Sequence, residues 1–345
     1  MKVKIKNFEN LLSETTRLID PKIKELLSLY TDDDDKRTNE LIHYQIETGG
    51  KKIRPVFCMA SCLLFNGKIS NALYSAAGLE ILHNYTLIID DIIDNSYLRR
   101  NKPTTWAKFG KAIALCAGAD YSATIFQAAN KSKNPVKISE LFAKTIKTIF
   151  DGQILDILFE QSGREDERYI IKNRYKKITQ ADYIKMISKK TAILIETSCE
   201  VGGICANANQ TQITTLKKYG FNLGMAFQIQ DDILDIFGDE KKFGKEIGHD
   251  IKGKKLSNIV ILFAMEEIAQ ADKKTILNIL KKEEVNNNDV KEVIKLINKT
   301  SAKERACLLG ERYIKKAKES LKKLPQNNWN NILNEIADFI VKREK

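Results

Sequence analysis

Two closely similar acidic pentapeptides carry the first hint of chemistry. Asp90-Asp91-Ile-Ile-Asp94 follows Leu-Ile-Ile, and Asp231-Asp232-Ile-Leu-Asp235 follows Gln-Ile-Gln. Within each, the first and fifth residues are i and i+4, so on a helix their carboxylates share one face. Like charges stacked in this way repel, and burial at the end of an apolar helix disfavours the charged forms further. A divalent cation removes both penalties. Magnesium suits the pattern, because it takes a few carboxylates and keeps positions for water and phosphate oxygens. One copy alone reads more readily as a solvated helix end than as a metal site; two copies, each on an apolar segment, favour metal. The run Asp32–Asp35 is more acidic, but it has no apolar segment beneath it and reads as a solvated loop.

Cations accompany the acids. Gly49-Gly-Lys-Lys-Ile-Arg-Pro55 combines a flexible turn, a point charge and a planar guanidinium, a combination that can hold a diphosphate. The spacing is not that of a phosphate-binding P-loop. Leu98-Arg-Arg-Asn-Lys-Pro-Thr104 follows the first aspartate motif, and Phe243-Gly-Lys245-Glu-Ile-Gly-His-Asp250 with Lys254-Lys255 follows the second. Metals on one side of a diphosphate and Lys or Arg on the other require such an alternation.

The elements that must position these residues are helices. Pro (5) and Gly (17) are scarce in 345 residues. Apolar residues recur at helical spacing from Leu11, Leu12, Thr15, Leu18 and Ile19 to Ile332, Ile336, Phe339 and Ile340, and no run of short alternating strands is found. Breaks at Pro21, Gly49-Gly50, Asn66-Gly67, Asn101–Pro103, Lys131–Pro135, Ser162-Gly163, Gly238–Lys255, Asn286–Asn288 and Pro325 divide the chain into about a dozen helices. The segments Gly67–Asp94, Pro135–Phe159 and Gln210–Phe237 are apolar on more than one face, as central helices of a bundle are. No linker separates halves, so one domain over 1–345 is expected.

Bulk properties exclude several classes. No apolar run reaches the roughly 20 residues of a membrane span. The basic opening Met1-Lys-Val-Lys-Ile-Lys lacks an apolar signal core, so the expected place is the cytosol. The six cysteines lack CxxC or metal-ligand spacing and read as reduced, buried thiols. The net charge of +12 comes with no nucleic-acid-binding signature; it reads as a lysine-rich surface, suited also to anionic substrates or peripheral contact with an acidic membrane.

Taken in order, the motifs are GGKKIRP, LHNYTLIIDDIID, LRRNKPT, GQILD at Gly152–Asp156, KKTA at Lys189–Ala192 and FQIQDDILDIFGDEKKFGK. From about Gly49 to Ser257 the chain resembles the trans-type polyprenyl (isoprenyl) diphosphate synthases, most closely the archaeal-type geranylgeranyl diphosphate synthases. The resemblance implies an all-α, isoprenoid-synthase-type helical bundle around a deep central cavity, usually in a homodimer. It implies three magnesium ions held by Asp90, Asp94 and Asp231, with Asp91, Asp232, Asp235 and Asp250 in support. Lys51, Arg54, His83 and Arg100 match the isopentenyl diphosphate site. Arg99, Lys190, Thr191, Gln228, Lys245 and Lys255 match positions around the allylic diphosphate, and Lys190, Thr191, Gln228 and Arg99 would serve its ionisation.

The growing product would run beside the helix that carries Asp90, with Tyr85, and Thr86 beside it, as the floor. Five residues are about 7.5 Å of helix rise. An ordinary core aromatic fits the local pattern equally well. The arrangement resembles the twenty-carbon type, with fifteen-carbon and longer products as alternatives. His83, seven residues before Asp90, stays near the site, while His43 and His249 read as bystanders. Ile89 and Lys254 depart from the family pattern without removing a charge the chemistry needs. A class I terpene cyclase, a non-catalytic helical partner subunit and a metal-storing scaffold are the competing readings; the intact second aspartate motif and the basic turns speak against them.

Overall fold

The computed structural model describes residues 7–30, 36–238 and 247–342. Helix α1 (Phe8–Leu27) forms because Leu11, Thr15, Ile19, Ile23, Leu26 and Leu27 make one buried stripe, and the Asn7 side chain caps its start. The expected break at Pro21 does not occur. Pro21 sits on the exposed face of α1, and the buried stripe carries the helix through.

The three apolar segments become the long helices α4 (Ile69–Ile93), α7 (Pro135–Leu158) and α11 (Gln210–Phe237), close to the expected bounds. Shorter helices outnumber the dozen read from the breaks, because turns such as that before α8 (Arg168–Asn173) punctuate segments that read as continuous. Of the remaining helices, α2 (Lys36–Glu47), α3 (Ile53–Leu64), α5 (Thr105–Phe109) and α6 (Lys111–Asn130) precede α7. Next come α9 (Gln180–Ile187), a π-helical turn (Ser188–Ala192) and α10 (Ile193–Cys205). Helices α12 (His249–Lys252), α13 (Ile259–Glu267), α14 (Gln270–Leu280), α15 (Asn287–Ile297), α16 (Ala302–Leu321) and α17 (Asn328–Lys342) complete the chain. The sheet content among the described residues is one hairpin, β1 (Leu98–Arg99) paired antiparallel with β2 (Lys102–Pro103).

The chain forms two compact units. The first comprises Met1–Ile146, Leu194–Gly220 and Lys318–Ile336; the second comprises Lys147–Ile193, Phe221–Ala317 and Ala337–Lys345. In the first, α4 is buried along most of its length between α3 and α6. Gly78 permits this packing, since a Cβ there would meet Ala128 at 2.9 Å and Phe142 at 2.9 Å. In the second, Phe159, Tyr183, Met186 and Ile187 pack with Met225, Ile229 and the wholly apolar start of α13. Among the described residues no helix is long and apolar enough to cross a membrane.

Candidate active site

In the first unit, Asp90 and Asp94 lie one turn apart where α4 ends, with Asp94 as the C-cap residue. Both are partly accessible, and the negative end of the helix dipole adds to their pull on a cation. Asp91 differs. It is 1 % exposed, and Arg99 grips it with Nε at 2.9 and 3.0 Å from the two carboxylate oxygens and Nη2 at 2.7 Å from Oδ1. Burial opposes the Arg99 charge, but the Asp91 bonds outweigh it and raise the guanidinium pKa. Asp91 is therefore engaged with Arg99, and the charges of Asp90 and Asp94 also favour the guanidinium.

The hairpin that delivers Arg99 turns through Arg100 and Asn101, both at positive φ (54° and 60°). A two-residue turn of this hand matches the strand twist, although Arg pays strain where Gly would not. Its result is that the Arg100 guanidinium packs over Gly50, where a Cβ would lie 2.8 Å from it. Gly50 also has φ +145°, and Gly49 φ +90°. Gly50 thus serves a close approach to Arg100, whereas Gly49 has open space around it and serves the positive φ of the turn, roles that the motif alone did not specify.

Around them stand Arg54, His83 and a residue without an assigned role, Glu80. Glu80 is 2 % exposed; its Oε1 accepts from Asn84 Nδ2 at 3.2 Å. Burial raises its pKa, against the pull of Arg54, Arg100 and Lys52. Burial likewise pushes Arg54 down to about 10, with Glu80 opposing and Arg100 assisting. His83 is held well below its ordinary value by burial and then by Arg54, Arg100 and Arg99, so it is a neutral imidazole at physiological pH. The cluster is a concentrated positive patch with one buried counter-charge, as an anion site requires. Lys51 is exposed beside it in sequence, while Lys52 turns away to pair with Asp20 at 2.8 Å.

Tyr85 is partly buried on α4 and faces Gly118 of α6, where a Cβ would stand 3.8 Å from its ring. Burial raises its phenol pKa, with a Ser122 hydrogen bond opposing. Thr86 is buried, with its hydroxyl donating to the His83 carbonyl at 2.8 Å.

In the second unit the organising residue is Asp156, the last of GQILD, a motif position to which no role was assigned. It is 4 % exposed and accepts from Lys190 Nζ at 2.7 Å, Lys255 Nζ at 3.0 Å and Ser257 Oγ at 2.7 Å. Burial opposes its charge, but the two lysines and the hydrogen bonds from Lys190 and Ser257 hold its carboxyl far below the usual range. Lys190 reaches it from the π turn. That turn fits because Gly152 lacks a Cβ, which would otherwise lie 2.4 Å from the Lys190 backbone nitrogen. Gly224 plays the same part against Ala192, at 2.6 Å. Widened turns of this kind recur at functional sites.

Thr191, in the same turn, donates to Gln228 Oε1 at 2.7 Å, and Gln228 Nε2 donates to Asp232 at 2.9 Å. Asp232 also accepts from the Ile259 backbone N–H at 2.9 Å, at the N-terminus of α13. Burial raises its pKa well above the carboxylate norm, and nearby Asp250 adds to this. Asp235 accepts from the backbone N–H groups of His249 at 3.0 Å and Asp250 at 3.1 Å. Asp250 in turn accepts from Asn258 at 2.9 Å. The second and fifth acids of this motif therefore have structural partners, and Asp231 is its partly exposed member. Lys245 lies outside the described residues, as do Asp32–Asp35.

Among the described residues no three His, Cys, Asp or Glu side chains form a group that could hold a metal by themselves. The donors nevertheless suit hydrated magnesium: hard carboxylate oxygens at helix ends, with coordination completed by water and phosphate. Asp90 and Asp94 of the first unit, and Asp231 of the second, are the partly exposed acids of the two motifs.

The comparisons agree with this chemistry. A family model described as polyprenyl synthetase matches residues 35–297. A short chain isoprenyl diphosphate synthase of Methanocaldococcus jannaschii is 38% identical over 80% of this chain and 80% of its own. A geranylgeranyl diphosphate synthase of Saccharolobus solfataricus is 36% identical over 90% and 91%. The crystal structure of a polyprenyl synthase from Caulobacter crescentus, complexed with calcium and isoprenyl diphosphate, superposes with a TM-score of 0.86 at 26% identity, covering 99% of this chain and 100% of that one. The chain is a member of the polyprenyl synthetase family, with its all-helical fold.

Proposed function

We propose that this protein is a trans-prenyltransferase that condenses isopentenyl diphosphate with an allylic diphosphate, and that its main product is geranylgeranyl diphosphate. The observation that carries the reading is the way buried carboxylates hold cations beside acids left for metal: Asp91 grips Arg99 next to Asp90 and Asp94, and Asp156 grips Lys190 and Lys255. The name of the Saccharolobus relative supports the twenty-carbon product.

Bound magnesium, with Asp90, Asp94 and Asp231 as its protein ligands, would supply charge neutralisation for the allylic diphosphate. Lys190, Lys255 and Arg99 meet the remaining negative charge as the C–O bond ionises, so their effect is greatest in the transition state. Each is preorganised by its carboxylate partner. Arg54, Arg100, Lys51 and neutral His83 bind isopentenyl diphosphate and orient its double bond toward the allylic carbon. A carbon–carbon bond forms, and the proton lost from the isopentenyl unit goes to the departing pyrophosphate. The chain offers Thr191 and Gln228 as polar but non-nucleophilic groups for the cation, which requires surroundings that exclude water. Tyr85 against Gly118 is suited to limit the product's length.

We further place the protein in the cytosol as a homodimer. Cys58, Cys62, Cys199 and Cys205 are buried free thiols, in keeping with a reducing compartment. Exposed Ile113, Leu115 and Cys116 give α6 an apolar face for a second copy. The basic surface is compatible with peripheral contact with a membrane that receives the product.

The test is incubation of purified protein with magnesium, isopentenyl diphosphate and five-, ten- or fifteen-carbon allylic primers, followed by sizing of the dephosphorylated alcohols. A dominant twenty-carbon alcohol, abolished by chelation and restored by magnesium, is the expected result. Absence of elongation from every primer with folded protein would refute the assignment.

A further inference from the structure

Gln153, beside the Asp156 cluster, is buried without partners. It is 2 % exposed, and neither its amide nitrogen nor its oxygen has a hydrogen-bond partner among the described residues. Buried polar atoms are nearly always paired, since leaving them unpaired forfeits their hydration. A leucine or methionine would fill the same volume without that penalty, so the amide calls for an occupant.

Its surroundings indicate which one. Gln153 precedes Asp156 by three residues on α7, so the two share a helix face about 4.5 Å apart along the axis. Asp156 holds Lys190 and Lys255, and neighbouring Gly152 packs against the Lys190 backbone. The other polar side chains of this unit offered for the allylic substrate are already engaged with each other: Thr191 bonds Gln228, and Gln228 bonds Asp232. Gln153 retains an unused acceptor and two unused donors one turn along α7 from the carboxylate that holds the lysine pair.

We infer that Gln153 is a substrate-contacting residue whose amide is completed by the allylic diphosphate. Its N–H groups donate to the oxygen through which the diphosphate leaves, and its carbonyl oxygen lies toward the allylic carbon as positive charge develops there. An amide oxygen stabilises that charge without being nucleophilic enough to trap the cation. The inference rests on the function proposed above. It adds a ligand contact at a position for which the motif alone gave no role.

The test uses Gln153→Met, close in shape, with Gln153→Leu as a second apolar variant. Thermal unfolding without ligand is followed, together with calorimetric affinity for geranyl diphosphate plus magnesium in the absence of isopentenyl diphosphate, and steady-state kinetics. The expected result is an unfolding midpoint unchanged or raised, at least tenfold weaker binding of geranyl diphosphate, and at least a tenfold lower kcat. The KM for isopentenyl diphosphate stays within twofold of wild type. Unchanged affinity and kcat would overturn the inference and assign the amide to a buried water. A lowered midpoint with unchanged affinity would overturn it in favour of a purely structural role. The two proposals fail separately: a wild-type enzyme that elongates no primer sinks the condensation reading, whereas the Gln153 contact is judged by binding alone.

Discussion

Replacing Asp156 by Asn tests whether one buried carboxylate organises the cations of the second unit. The change keeps the shape but removes the charge that faces Lys190 at 2.7 Å and Lys255 at 3.0 Å. The new Nδ2 is a donor, and at least one of the surrounding donors must lose its bond; Ser257 can rotate to accept, but an ammonium cannot. Breaking a buried ion pair from one side costs about 3–5 kcal/mol. The lysine side chains retain 22% and 11% exposure, so the lower end applies. About 3 kcal/mol is roughly a hundredfold in the folding equilibrium. Misaimed lysines should also lower kcat/KM for the allylic substrate by about a hundredfold or more, the scale seen when preorganised donors are removed.

Urea unfolding and kinetics with the allylic primer varied would read both effects. Asp151→Asn is the control: its pair with Lys189, at 3.2 Å, has an acid side chain 62% exposed, and such pairs are worth about 0–1 kcal/mol. The pH dependence has a definite sign. The folded Asp156 carboxyl titrates well below its unfolded value of about 3.9, so its stabilisation is complete above that value and disappears as pH falls toward the folded pKa. The gap between wild type and Asp156→Asn should therefore be constant above about pH 5 and narrow only below about pH 4. Equal stability at pH 7, or a loss confined to the KM for isopentenyl diphosphate, would refute the role given to Asp156.

Tyr85→Ala should lengthen the prenyl product, read by sizing the alcohols; an unchanged distribution removes Tyr85 as the floor. Gly152→Ala would place a methyl 2.4 Å from the Lys190 nitrogen, against backbone that cannot swing aside. Overpacking of this kind costs about 1–3 kcal/mol, and displacement of the π turn should reduce kcat about a hundredfold, measured at saturating substrates. His83 stays neutral when folded, because burial and three arginines depress its pKa, but it protonates near 6.5 when unfolded. Acid therefore favours unfolding, and wild-type stability should fall from pH 7 to pH 5 by more than that of His83→Asn; parallel urea titrations that show no such difference would count against the neutral imidazole.

Much of the architecture was legible along the chain. Apolar spacing located α4, α7 and α11, because helix burial leaves a periodic trace in local sequence. The acidic pentapeptides and basic turns likewise pointed to the metal and diphosphate chemistry proposed here, since i, i+4 carboxylates are a local relationship. Pro21 misled because the tolerance of an interior proline depends on which face is buried, and that is set by α3 and α4.

The division of labour among the acids was decided only by tertiary structure. Asp90 and Asp91 are chain neighbours, yet α4 turns one to partial exposure and buries the other under Arg99. Asp232 and Asp235 meet backbone N–H groups of residues 259, 249 and 250, brought close by the turns after α11. Asp156 meets Lys190, Lys255 and Ser257, which lie 34 to 101 positions away. The sequence by itself determined which groups exist and which face of a helix each occupies. Which carboxylates stay partly exposed and which hold cations depends on burial and distant donors, and those arise only when the helices pack.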